Sequence, residues 1–138
     1  MTDMVHEADV TLDRLEAIFN GAFMRTRRND DQSLEVLEGG FRTNVRIFSD
    51  TLLIALDVMF DLKPSFTSAD KLVFINRINA DLLEARCGMA DPAHLWVDHS
   101  IAYGVGLVPL QLVSTFRRFL SACGVVRAAD AAGMIGKD

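Results

Sequence analysis

The sequence predicts an α+β domain with element order α-ββββ-α-ββ-α, one antiparallel sheet with helices packed on it. Three observations lead there. Apolar residues recur at helical spacing in three separated stretches. Between the first two stretches, over residues 22–62, the period changes to two, which is the signature of half-buried strands. Strands fall in blocks, without a βαβ rhythm, so a doubly wound nucleotide-binding fold is not expected.

The first helix is read over 3–20, where Met4, Ala8, Leu12, Leu15 and Phe19 share one side and Asp9, Asp13 and Glu16 do not. Thr2 or Asp3 would cap a long helix and Thr11 a shorter one; Gly21 is the expected stop. A first strand follows over 23–28, then the polar turn 29–32. Leu34 and Val36 alternate with Glu35 in the second strand, and Gly39-Gly40 marks a tight hairpin. In the third strand Phe41, Thr43, Val45 and Ile47 line one face, and Arg42, Asn44 and Arg46 the other. After the Ser49-Asp50 turn, the fourth strand over 51–61 has Leu52, Ile54, Leu56, Val58 and Phe60 on one face. Its second face, with Leu53, Ala55, Asp57 and Met59, is also largely apolar.

Lys63-Pro64-Ser65 breaks the sheet, and Thr67 or Ser68 caps a second helix over 69–84. Its stripe is Leu72, Ile75, Ile78, Asn79, Leu82 and Leu83. Two strands, 85–90 and 95–103, flank the turn at 91–94. Pro109 suits the first turn of a third helix, whose stripe is Leu112, Val113, Phe116, Phe119, Leu120 and Cys123. Gly124 is read as its end, so residues 1–124 form the domain and 125–138 a loosely held tail rich in Ala and Gly.

Half of the 138 residues are apolar and mean hydropathy is +0.21, enough to build a core. Fourteen Lys and Arg against 19 Asp and Glu give a formal charge of -5, which disfavours nucleic acid and anionic membrane as partners. The first seven residues have neither a basic region nor an apolar run, so a secretory signal is not expected and a cytoplasmic location is. Cys87 and Cys123 are too few for a disulfide framework or a Cys-only zinc site, and are read as buried reduced thiols.

Several local strings carry a resemblance. They are Thr11-Leu12-Asp13-Arg14-Leu15-Glu16, Gly40-Phe41-Arg42-Thr43-Asn44-Val45, Ile75-Asn76-Arg77-Ile78-Asn79, and the turn over 104–112 into the third helix. With the element order, they resemble the YbjN family of putative bacterial sensory transduction regulators over about residues 11–123. The resemblance implies a fold similar to the type III secretion chaperones, and function by binding protein as a dimer rather than by catalysis. It implies no catalytic residue and no cofactor. Val108-Pro109 and the tail depart from the pattern.

Four candidate features remain. Asn79, inside an apolar stripe, is expected to bond a strand or loop backbone and fix helix on sheet. A turn centred on 91–94 puts Cys87 opposite Asp98, and hence Cys87 and His99 on opposite faces, which argues against a Cys-His nucleophile. The three histidines have no metal-ligand spacing, so no metal is expected. Gly104-Val105-Gly106 is read as a turn, not a dinucleotide fingerprint.

Two surfaces are expected. Arg25, Arg27, Arg42 and Arg46 share a solvent face; pairing to Glu35 and Glu38 is the simpler reading, and a groove for an acidic partner the functional one. Leu53, Met59 and Trp96 are apolar residues that need cover, and are expected to be buried in a homodimer or by a partner protein. Cover by the tail or first helix within one chain competes with this. The function that follows is a non-enzymatic protein-binding regulator. A dedicated type III secretion chaperone and a small-ligand sensor or enzyme using a pocket at the sheet face are the alternatives.

Overall fold

Thr11 decides where the first helix starts. In a computed structural model that describes residues 3–137, its hydroxyl accepts from the Arg14 N–H at 3.2 Å and opens α1 (Leu12–Gly21). The shorter of the two expected helices forms. Val5 is held extended by two 2.7 Å backbone bonds to Leu107, which leaves only a 3-10 turn over Glu7–Asp9. Met4 is consequently exposed instead of joining the core, and Thr2 lies outside the described residues. The left-handed residue after the helix is Phe23, with φ 65°, and not Gly21.

Six strands follow in the expected grouping: β1 (Arg25–Arg28), β2 (Leu34–Glu38), β3 (Phe41–Phe48), β4 (Leu53–Asp61), β5 (Arg86–Asp91) and β6 (His94–Ala102). They form one antiparallel sheet in the order β1-β2-β3-β4-β6-β5. Gly39 and Gly40 take φ of 62° and 79°, the pair of positive values that a two-residue hairpin between β2 and β3 needs. β4 and β6 pair from Leu53↔Ala102 to Asp61↔His94, so the long strand that is apolar on both sides lies in the middle of the sheet.

One face of the sheet carries the core. Leu34, Val36, Val45, Ile54, Leu56, Leu95 and Val97 lie there under α1 and α3 (Pro109–Ala128). The Phe19 and Phe116 rings join those helices at 5.0 Å. Burying some seven such side chains stabilises the fold by about 1.5–3 kcal/mol each before conformational entropy is charged against it. The second helix, α2 (Ser68–Asp81), has a reciprocal cap between Thr67 and Asp70 and packs along β5.

Two expectations about the helices change. The buried side of α2 is Lys71, Phe74, Ile75 and Ile78, while Leu72 and Leu83 are exposed. Leu83 falls beyond the helix end, and Lys71 buries its aliphatic stem while its ammonium reaches the Pro92 carbonyl. Helix α3 does not stop at Gly124. Val126 is fully buried two residues further on, and that burial outweighs the roughly 1 kcal/mol penalty of a helical glycine. The described part of the tail is also tied down: Lys63 N–H donates to Met134 C=O and Gly136 N–H to Asp61 C=O, both at 2.8 Å. No helix of the described residues is long and apolar enough to cross a membrane.

Candidate functional site

The second face of the sheet is built by strand alternation alone. Directly opposed residues carry a polar row across all six strands: Arg27, Glu35, Asn44, Asp57, Asp98 and Arg86. On one side of this row lie Arg25, Leu37 and Arg42, and also Met59, Trp96 and Gly88. On the other lie Arg46, Ala55 and Ser100, followed by Phe48, Leu53 and Ala102. All seven expected surface residues, the four arginines and Leu53, Met59 and Trp96, therefore share one face. Phe48 and Met59 are each half exposed.

Charge is unevenly placed on this face. Arg27 pairs with Glu35 as the sequence suggests, but Arg46 pairs with Asp31 at 2.6 Å, and Arg25, Arg42 and Glu38 have no ion-pair partner among the described residues. Arg86 holds Asp98 through its Nε at 2.8 Å. Asp57 has no such partner among the described residues. Burial pushes its carboxyl above the ordinary carboxylate range and Asp98 adds to the rise, against the pull of Arg46. Asp57 lines two shallow depressions, one with Phe48, Leu53 and Arg46, the other with Arg42, Asn44 and Met59. Asp57 was legible as a charge inside a two-sided apolar strand; its central position needed the register.

Trp96 is half-covered within the chain. Its indole lies in the gap left by Gly88, where an added Cβ would stand 2.1 Å from Cζ2, and the Arg86 guanidinium is 5.6 Å from the ring centroid. The neighbouring strand therefore supplies part of the cover, and neither the tail nor α1 does so at Met59, which stays half exposed.

The thiols offer no nucleophile. Register corrects the sequence reading: Cys87 opposes Val97, not Asp98, because an irregularity between Met89 and Asp91 shifts the pairing by one. Cys87 and His99 thus lie on the same side of the sheet. The thiol is nevertheless buried and its pKa pushed up to about 12 by that burial, as is that of Cys123. Asn79 does bond strand backbone, as expected, but from an exposed position at the sheet edge and not from inside the apolar stripe. Among the described residues no group of His, Cys, Asp and Glu could hold a metal ion.

The chain matches a family model and superposes on solved structures. The family model for YbjN, described as a putative bacterial sensory transduction regulator, matches residues 11–129. The crystal structure of YbjN from E. coli, described as a putative transcription regulator, superposes with a TM-score of 0.77 at 17% identity, over 91% of this chain and 95% of that one. The Yersinia pestis type III secretion chaperone SycH, solved in complex with a stable fragment of YscM2, gives 0.56 at 12% identity over 83% and 97%. The HopA1-SchA chaperone-effector complex gives 0.57 at 11% over 83% and 88%. No curated protein sequence matches the chain. The fold is thus that of the secretion chaperones, as the resemblance implied.

Proposed function

We propose, from the premise that the chain belongs to the YbjN family, that it acts in the cytoplasm as a non-enzymatic regulator that binds other proteins and pairs with a second copy of itself. One observation carries the reading. The open sheet face gathers Phe48, Leu53, Met59 and Trp96 around a half-buried carboxylate, a surface that solvent alone serves poorly. Its two halves also differ in charge. The β1–β3 half carries Arg25, Arg27, Arg42 and Arg46 against Glu35, and the other half Asp57 and Asp98 against Arg86. A twofold axis along the strands lays the cationic half of one copy on the anionic half of the next. The buried, high-pKa thiols support a role without thiol nucleophilic catalysis.

Light scattering tests this. The native chain at high micromolar concentration should have twice the chain mass, and Leu53→Asp with Met59→Asp should have the chain mass while keeping its fold by circular dichroism. A monodisperse native monomer at that concentration contradicts the dimer. A dedicated secretion chaperone is the second reading, favoured by the two chaperone complexes of similar fold. A secretion effector encoded beside the gene would support it.

A further inference from the structure

Strand β4 overshoots its neighbour β3. The last residue of β3 in that direction is Phe41, and the β3–β4 register sets it level with Phe60, yet the chain continues extended through residues 61–63. The Leu62 N–H turns to the Ala93 carbonyl at 2.7 Å, on the β6 side. The Asp61 carbonyl and Lys63 N–H therefore point the other way, into the lane that β3 has left. Residues 134–136 fill that lane: Ile135 bridges Leu62 antiparallel, Met134 C=O accepts from Lys63 N–H, and Gly136 N–H donates to Asp61 C=O.

The filling segment is tied down by backbone hydrogen bonds and by little burial. Met134 and Ile135 are only partly buried against the core, and the residues that lead to them, Ala129, Ala131 and Ala132, are exposed. Segments with so few buried contacts open at low free energy. The Asp130 carboxylate accepts from both Met134 N–H and Ile135 N–H at 2.8 Å. The Ile135 N–H, which faces away from Leu62, is thereby already taken, so a strand adding outside the segment meets one donor fewer than a strand that takes the segment's place. A cleft between the segment and α2 is lined by Val73, Phe74 and Met134.

We infer that the lane beside residues 61–63 is a strand-addition site for an extended segment of a partner protein with two adjacent apolar side chains between small residues, occupied here by the chain's own residues 134–136. The occupant's chemistry is read from the segment already seated there, Gly133-Met134-Ile135-Gly136. The site deepens the reading of the chain as a protein-binding regulator but does not use the open sheet face.

The test uses the full chain, native and Asp130→Ala, with a fluorescent peptide of residues 131–137 as the probe. Hydrogen exchange at the Lys63 amide reports whether the lane is open. The account expects the Lys63 amide to be protected in the native chain and fast in Asp130→Ala. The peptide should bind the variant at least about tenfold more tightly, because a site occupied in cis lowers apparent affinity by the fraction that is open. It should restore Lys63 protection, and a peptide with Ser in place of Met134 and Ile135 should not bind. Equal affinity for both chains, or no binding to a variant whose Lys63 amide is fast, overturns the site. Should the amide stay protected in Asp130→Ala, Met134→Ser with Ile135→Ser carries the same test; protection there too overturns it. Because the dimer mass is read separately, failure here is distinct from failure of the sheet-face reading.

Discussion

The Asn79 carboxamide reads both backbone groups of Cys87: its Nδ2 donates to the Cys87 carbonyl and its Oδ1 accepts from the Cys87 N–H, each at 2.8 Å. A side chain on α2 thus imitates a neighbouring strand at the edge of the sheet, where β5 has no strand partner on its outer side among the described residues. Asn79→Leu removes both bonds and should destabilise the fold by about 1–3 kcal/mol. Asn79→Asp keeps only the acceptor and should fall between. Thermal unfolding checks this, and an unchanged melting temperature for Asn79→Leu would contradict the pinning role.

Asp57 should make stability depend on pH in a set direction. Its pKa is raised in the folded chain by burial and by Asp98, so folding favours the protonated form. Relative to the ionised form, that stabilisation is fully present below the ordinary value of 3.8 and is lost as pH rises through the higher folded value. Asp57→Asn, in chains dilute enough to be monomeric, should therefore melt higher than the native chain at pH 7. The difference should shrink towards pH 3. A gain that is the same at both pH values would contradict the electrostatic account.

The two thiols should be inert in the folded chain. With pKa pushed up to about 12 by burial, Cys87 and Cys123 are thiolate in roughly one molecule in 10,000 at pH 8. An aromatic disulfide reagent should titrate neither in the native protein over minutes and both after denaturation. Reaction of either native thiol at the rate of a free cysteine would contradict the burial.

Much of this was legible from residue order. Period-two alternation placed Arg42, Arg46, Leu53 and Met59 correctly, because a strand's faces follow from parity once its pairing is antiparallel. What parity could not supply was register. The irregularity between Met89 and Asp91 moved Cys87 to the His99 side, and no residue type at that turn announces it. Long-range pairing was equally hidden: Val5 with Leu107 ended the first helix early, and the lane beside residues 61–63 drew in the tail. Glycine misled at Gly124, which stays helical; α1 does stop at Gly21, although the left-handed turn after it falls on Phe23. The open face was visible as surplus apolar residues, whereas Asp57 at its centre emerged only when six strands were laid side by side.

The central claim is that the open face closes on a second copy, and Trp96, the only tryptophan in the chain, reports on that face directly. Its emission maximum and acrylamide quenching, followed across a dilution series, measure the closure. The account predicts a shift to longer wavelength and rising quenching on dilution, with the same midpoint as the mass change. Leu53→Asp with Met59→Asp should give the dilute spectrum at every concentration. A native emission that is independent of concentration and identical to that of the variant would contradict the claim.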